Sequence, residues 1–161
     1  MSPSITIRPA TPADTRLLFE VYASTRSEEL APVPWTAEQK LQFLAFQFQS
    51  QDAHYRETFP GATFSVIEVD GTAEGRLYVN RTPERIHIVD IALLPSARGK
   101  GIGARILGQL FEEAEAKKLP VTISVERFNP AKRLYERLGF RMIEDGEVYQ
   151  RMEWRAASDA T

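Results

Sequence analysis

The chain of 161 residues contains no cysteine. That absence excludes a disulfide framework, a thiolate zinc site and a cysteine nucleophile. Histidine is nearly as scarce. His54 and His87 are the whole supply, and they lie far apart without metal-ligand spacing, so no metal is expected. Neither sign of charge dominates. A formal net charge of −2 argues against a general nucleic-acid binder. No apolar run approaches the length of a membrane span. Met1-Ser2-Pro3-Ser4 lacks a basic-then-apolar signal. No membrane partner is therefore expected, and a cytoplasmic address is. Glycine is sparse too, with nine in all, yet Gly99, Gly101 and Gly103 crowd into one short stretch. The remainder, 43% apolar and 26% charged, is ordinary for a soluble globule. The length predicts a single domain over residues 1–161.

Taken in order, Ile5 and Ile7 alternate with polar neighbours and predict a strand. Thr11-Pro12 opens a helix, with threonine as cap and proline at the first helical position. Leu17, Leu18 and Val21 line one side of that helix. Ala31 to Pro34 breaks the chain. Thr36 caps a second helix, and Gln39 completes a capping box. Leu41, Leu44, Phe48, Tyr55 and Phe59 form its core stripe. Phe43 and Phe46 fall off the stripe. They pack against the first helix, meet a partner in a homodimer, or wall an acceptor pocket. Pro60-Gly61 ends this helix. A meander follows, with strands Ala62–Val69, Thr72–Asn80 and Ile86–Leu94 turning at Asp70-Gly71 and at Thr82-Pro83-Glu84. Gly101 to Lys118 reads as a long helix with Ile102, Ile106, Leu107, Leu110, Phe111 and Ala114 inward. Pro120–Val125 is a β-branched strand, parallel to the one before the glycines. Asn129-Pro130 caps a helix that runs to Leu138 and stops at Gly139. Arg141–Glu144 and Val148–Trp154 close a hairpin around Asp145-Gly146. Ala156–Thr161 is expected to fray. The order is β-α-α-β-β-β-α-β-α-β-β.

The crowded glycines stand between the third meander strand and the long helix. Bare backbone N–H groups at a helix start, backed by the helix dipole, make an anion site. Arg98 and Lys100 add positive charge. The turn therefore reads as a pyrophosphate cradle. A P-loop would need four residues between a glycine and Gly-Lys-Ser/Thr, and that pattern is absent. The dinucleotide fingerprint is met in its loose form by Gly99-x-Gly101-x-x-Ala104, with Glu126 ending the next strand. Three strands and two helices precede the strand that leads into this turn, however, and only 57 residues follow Ala104. That leaves no room for the second half of a doubly wound sheet.

The third pattern is Arg/Gln-x-x-Gly-x-Gly/Ala, met as Arg98-Gly99-Lys100-Gly101-Ile102-Gly103. Together with Asn129-Pro130-Ala131-Lys132-Arg133-Leu134-Tyr135-Glu136-Arg137-Leu138-Gly139-Phe140, one helix and one strand later, it resembles the GNAT superfamily of acyl-CoA-dependent N-acetyltransferases. The resemblance covers the whole chain in element order, and its motifs run from about Ile88 to Phe140. It implies an α/β (α+β) fold, a central mixed, mostly antiparallel sheet with flanking helices. It implies an acyltransferase moving acetyl from acetyl-CoA to a primary amine of a small molecule, peptide or protein. A non-catalytic acyl-CoA-sensing module on the same fold is the alternative.

By that resemblance Arg98, Gly99, Lys100, Gly101, Ile102, Gly103 and Ala104 hold the pyrophosphate, and Ile91 and Leu93 bond the pantetheine arm as an added strand. The sheet splays between the strands ending at Leu94 and Val125 to admit that arm. Asn129 contacts the arm or simply caps its helix. A backbone N–H near Leu93 stabilises the thioester oxygen. Tyr135 matches the family tyrosine that protonates the departing thiolate; the plainer alternative is a ring packed on the sheet. The base is His87, Asp90 or Glu126. Strand alternation puts His87 and Asp90 on opposite faces unless a bulge intervenes. Tyr22, Trp35, Phe43 and Phe46 suggest a partly apolar acceptor pocket.

Overall fold

The computed structural model describes residues 2–157. Seven strands hydrogen-bond in the order β1-β2-β3-β4-β5-β7-β6. They are β1 (Ile5–Pro9), β2 (Thr63–Val69), β3 (Thr72–Arg81), β4 (Ile86–Leu93), β5 (Val121–Glu126), β6 (Arg141–Asp145) and β7 (Tyr149–Trp154). The helices are α1 (Thr15–Ser24), α2 (Ser27–Leu30), α3 (Ala37–Thr58), α4 (Ile102–Lys117) and α5 (Lys132–Arg137). The result is the expected open, mostly antiparallel mixed sheet with flanking helices. Residues 2–78 and Ile91–Lys100 form one compact unit; Val79–Asp90 and 101–157 form another.

In the first unit β1 pairs antiparallel with β2, from Ile5↔Val69 to Pro9↔Ser65. Asp70 and Gly71 both take positive φ, 50° and 83°, which is the two-residue hairpin turn that Asp-Gly favours. Thr36 accepts a hydrogen bond from the Gln39 backbone at 3.1 Å, and Gln39 Oε1 accepts from the Thr36 N–H at 3.0 Å. The capping box thus starts α3 where expected. Leu18, Tyr22, Leu30, Leu44, Phe48 and Val66 form the unit's core. Phe19 meets Phe48 edge to face at 5.7 Å.

Two expectations need correcting. Leu41 is 54% exposed, because the α3 stripe reaches the core only from Leu44 onward. A short helix, α2, lies between α1 and the break at Ala31 to Pro34, where the sequence predicts no element. Its four residues are too few to show a helical period. Of the tail expected to fray, Ala156 is buried at 3% exposure and Ala157 is exposed; residues 158–161 lie outside the described residues.

A polar cluster ties the start of this unit together. Asp14 accepts from Arg8 Nη1 and Nη2 at 2.9 Å each and from the Thr11 backbone N–H at 2.8 Å. Arg8 Nε donates to Glu68 at 3.0 Å. These bonds, the arginine's first, hold the Asp14 carboxyl well below the usual carboxylate range. The folded state thus favours the ionised form, so its stabilising effect is complete above pH ~4 and lost as pH falls below that. Asp14→Asn should lower the melting temperature at pH 7 and flatten the acid side of the stability curve below pH ~4. An unchanged curve would show the cluster to be stability-neutral.

In the second unit β5 runs between a parallel and an antiparallel neighbour. It pairs with β7 from Val121↔Trp154 to Glu126↔Tyr149, and with β4 only from Ile86↔Val121 to Ile88↔Ile123. Ile102, Ile106, Leu107, Leu110 and Ala114 of α4 are buried. Phe111 stacks on Trp154 at 4.2 Å, and Tyr135 meets Phe140 edge to face at 5.8 Å. Gly139 closes α5 at φ 105°. A Cβ there would sit 3.2 Å from the Trp154 ring.

Candidate active site

The glycine turn is built by conformation as much as by composition. After β4, Pro95–Ala97 makes one 3-10 turn. Gly99 and Gly101 then take φ of 74° and 77°, the left-handed region that other residues rarely enter. Gly101 is the N-cap of α4, and the first bond across that helix start runs from the Arg105 N–H to the Gly101 carbonyl at 3.1 Å. By helix geometry the N–H groups of Ile102, Gly103 and Ala104 then point out of the helix end. Gly103 differs from the other two glycines. Its φ is not in the positive region; as at Gly99 and Gly101, a Cβ added to it would meet nothing within 4 Å. Neither the backbone nor the packing of the protein requires glycine there, and in a helix glycine costs about 1 kcal/mol relative to alanine. Gly103 stands in the first turn of α4, among the N–H groups that an anion would use.

The sheet offers a second feature. Among the described residues the β4–β5 ladder ends at Ile88↔Ile123, while β5 goes on pairing with β7 as far as Glu126. Beyond Ile88 the two strands form no further ladder pair, which is where a splay would open.

A model of the acetyltransferase (GNAT) family matches residues 24–140, including this turn, the splay and α5. The chain belongs to the GNAT acetyltransferase family. It is 29% identical over 97 residues to a candidate ribosomal-protein-bS18 alanine N-acetyltransferase of Bacillus subtilis (strain 168). That match takes in 57% of this chain, and the chain spans 64% of that relative's length. Among solved structures, the PaiA N-acetyltransferase of Thermoplasma acidophilum, in complex with coenzyme A, superposes with a TM-score of 0.71. The identity is 18%, and 95% of this chain and 99% of that one are covered. An acetyltransferase of Thermus thermophilus gives a TM-score of 0.66 at 20% identity, covering 95% and 97%. These neighbours share the GNAT fold with this chain.

The remaining site residues fall into separate groups. Tyr135 is buried on α5. Its phenol is pushed up to about 12, first by burial and then by the charge of Asp90. Tyr135 and Asp90 therefore feel one another. His87 stands elsewhere. Its Nδ1 is 2.8 Å from Thr122 Oγ1, across the parallel pair His87↔Thr122. Burial, then Arg151 and Arg85, lowers it to about 4. The imidazole is neutral at pH 7. The folded pKa lies below the unfolded value near 6.5, so stability is full above that value and lost as pH falls from about 6.5 toward 4. His87→Gln should remove this part of the Tm–pH slope. In the wild type the imidazole NMR signals should titrate near pH 4, and a midpoint near 6.5 would contradict the burial.

Glu126 ends β5, half-buried. Asn129 Oδ1 accepts from the Ala131 N–H at 2.9 Å, so its side chain serves the turn into α5. That helix starts at Lys132, two residues later than Asn129-Pro130 alone predicts. Near Asn129, Arg127 Nη1 bonds Asp145 and also the Gly146 carbonyl, the latter at 3.1 Å. This ties the loop after β5 to the closing hairpin.

The aromatic residues expected at the acceptor divide. Trp35, 43% exposed, meets Phe43 edge to face at 5.2 Å, and Phe43 also packs on the core. Phe46 is 69% exposed, so it is not packed on the first helix. Tyr22 is a core residue, buried at 4%, with its hydroxyl on Gln47 at 3.2 Å. Its ring is committed to packing and is not a free pocket wall.

Two residues on β3 have no part in the sequence reading. Gly75 has no room for a side chain: a Cβ would come to 2.6 Å from the Ala92 carbonyl and 2.8 Å from Leu93 Cδ2. An isolated glycine inside a strand signals such close approach, so this one was findable. Arg76, beside it, is 2% exposed. It donates to Gln51 at 2.8 Å and lies over the rings of Tyr22 and Tyr78, at 5.7 and 5.1 Å. Arginine in a strand reads as outward-facing, so no sequence signal marks it.

Proposed function

We propose that the chain is an acetyl-CoA-dependent N-acetyltransferase acting on a primary amine. The observation that carries this reading is Gly103, whose open space over the α4 start serves no need of the protein itself. In this reading the N–H groups from Gly99 to Ala104 bind the pyrophosphate. The end of β4, Ile91 to Leu93, takes the pantetheine arm by backbone bonds. A backbone N–H near Leu93 stabilises the thioester oxygen as it gains charge. Tyr135 donates toward the leaving sulfur. The amine's proton goes to one of His87, Asp90 or Glu126, directly or through water. Trp35, Phe43 and Phe46 give the acceptor an apolar surface. The alanine in the Bacillus subtilis relative's name brings nothing to this chain beyond the reaction class.

The test combines binding and turnover. Acetyl-CoA should raise the melting temperature, since a ligand bound only by the folded state stabilises it. NAD and ATP should do far less. A panel of amines with acetyl-CoA, read by free-thiol release, should then give turnover. A shift with NAD alone would overturn the nucleotide assignment. Binding without turnover on any amine would favour the sensing module.

A further inference from the structure

The side chain of Arg98 does not extend toward the glycine turn as free charge. Its Nε donates to the Leu93 carbonyl at 2.9 Å, and its Nη2 donates to Ser24 Oγ at 3.1 Å. The Ser24 hydroxyl in turn donates to the Val21 carbonyl at 2.7 Å, at the end of α1. The backbone N–H of Arg98 is also engaged, donating to the Pro95 carbonyl at 3.2 Å. The Leu94 N–H, on the same peptide unit as the Leu93 carbonyl, donates to the Glu74 carbonyl at 2.8 Å. The Leu93–Leu94 peptide plane is therefore held at both its carbonyl and its N–H. Gly75 lets the neighbouring strand press onto Ala92, one residue earlier.

We propose that Arg98 is a positioning residue: its guanidinium fixes the Leu93–Leu94 peptide at the end of β4 and ties it to α1 through Ser24, and it is not a phosphate ligand. The inference rests on the acetyltransferase reading for its consequence, because it is that reading which makes the end of β4 the place where the thioester oxygen is met. With its N–H already given to Glu74, this peptide is not itself the oxyanion donor; pinned, it holds the Leu93 N–H of the preceding peptide in place before charge develops. Arginine suits the task because its planar fork places two donors at once, on a carbonyl and on a hydroxyl.

Side-chain length gives a test that separates position from charge. The Nε2 of glutamine stands the same number of bonds from the backbone as the Nε of arginine, so Arg98→Gln keeps a donor for Leu93 and loses the charge. Arg98→Lys keeps the charge and loses the donor at that position. A positioning role predicts that Arg98→Gln retains kcat within about threefold, while Arg98→Lys and Arg98→Ala lose about tenfold or more. CoA affinity and its salt dependence should stay near wild type in all three. Ser24→Ala should lower kcat by a smaller factor with CoA affinity unchanged. The reverse order, with lysine near wild type and glutamine weakened in CoA affinity, would make Arg98 a phosphate ligand and overturn the proposal. Wild-type kinetics in Arg98→Ala would overturn it too. Amide exchange at Leu94, followed without acetyl-CoA, gives a readout that does not need turnover. It should speed up in Arg98→Ala and Arg98→Lys and hold in Arg98→Gln. Unchanged exchange in Arg98→Ala would refute the pinned peptide even if no amine substrate is found. Normal pinning in a wild type that turns over no amine would count against the enzyme reading alone.

Discussion

Gly103→Asp should stabilise the ligand-free protein and abolish its binding of CoA. The two effects have opposite signs, which is what makes the variant informative. Gly103 lies in the first turn of α4, where a carboxylate faces the positive end of the helix dipole and contributes about 0.3–1 kcal/mol. Replacing glycine in a helix adds a few tenths of a kcal/mol more. The new side chain has open space to enter, so no clash offsets these gains. The same carboxylate then stands where the pyrophosphate would sit. It fills the volume and repels the charge, and a loss of about 100-fold in CoA affinity, near 2.7 kcal/mol, is expected. Gly101→Asp is a poorer test, because φ of 77° at Gly101 strains any side chain and confounds folding with binding. The measurements are a thermal melt of the apo protein and a CoA titration by calorimetry. Intact CoA binding in Gly103→Asp would move the cradle away from this turn.

The glycine turn was legible because its signals are local. Three glycines in five residues, a preceding proline and a following apolar period need only a few neighbouring positions to be read. The same holds for the capping box at Thr36 and the hairpin at Asp70-Gly71. What the sequence hides is long-range. Asp14 and Glu68 meet on Arg8, and Arg98 finds Ser24 74 positions earlier; neither pairing leaves a periodic trace. Arg98 has a contact that local reading does not supply. Beside glycines at a helix start its charge reads as phosphate-facing, and its Nε donates to the Leu93 carbonyl at the strand end. Tyr22 shows the same in an aromatic: composition marks it as pocket-forming, and packing against Phe48 at 5.9 Å takes it into the core.

Tyr135→Phe should lower kcat by roughly 10²- to 10³-fold with little change in CoA affinity, in the lower part of what general acid catalysis supplies. The lower part is expected for a thermodynamic reason. A phenol pushed up to about 12 is a weaker acid than a thiol near 8.5, so complete transfer to a free thiolate runs uphill by about 5 kcal/mol at 1.36 kcal/mol per unit. The proposed role is then hydrogen bonding to the sulfur as its charge builds, with full transfer left to solvent once the thiolate departs. The high value also means that the hydroxyl keeps its proton through the neutral and mildly alkaline range, so the wild-type rate should show no alkaline decline from this residue below pH ~11. Removing only the hydroxyl leaves the ring on Phe140, and the fold should hold. The effect of the substitution should shrink with acyl donors whose thiol has a lower pKa, because those leaving groups need less help. The experiment is kcat against pH for wild type and Tyr135→Phe with two donors of different thiol acidity, and a CoA titration on each protein. Equal kcat values would reduce Tyr135 to a packed ring. A donor-independent loss would assign it to positioning the thioester instead of protonating the sulfur.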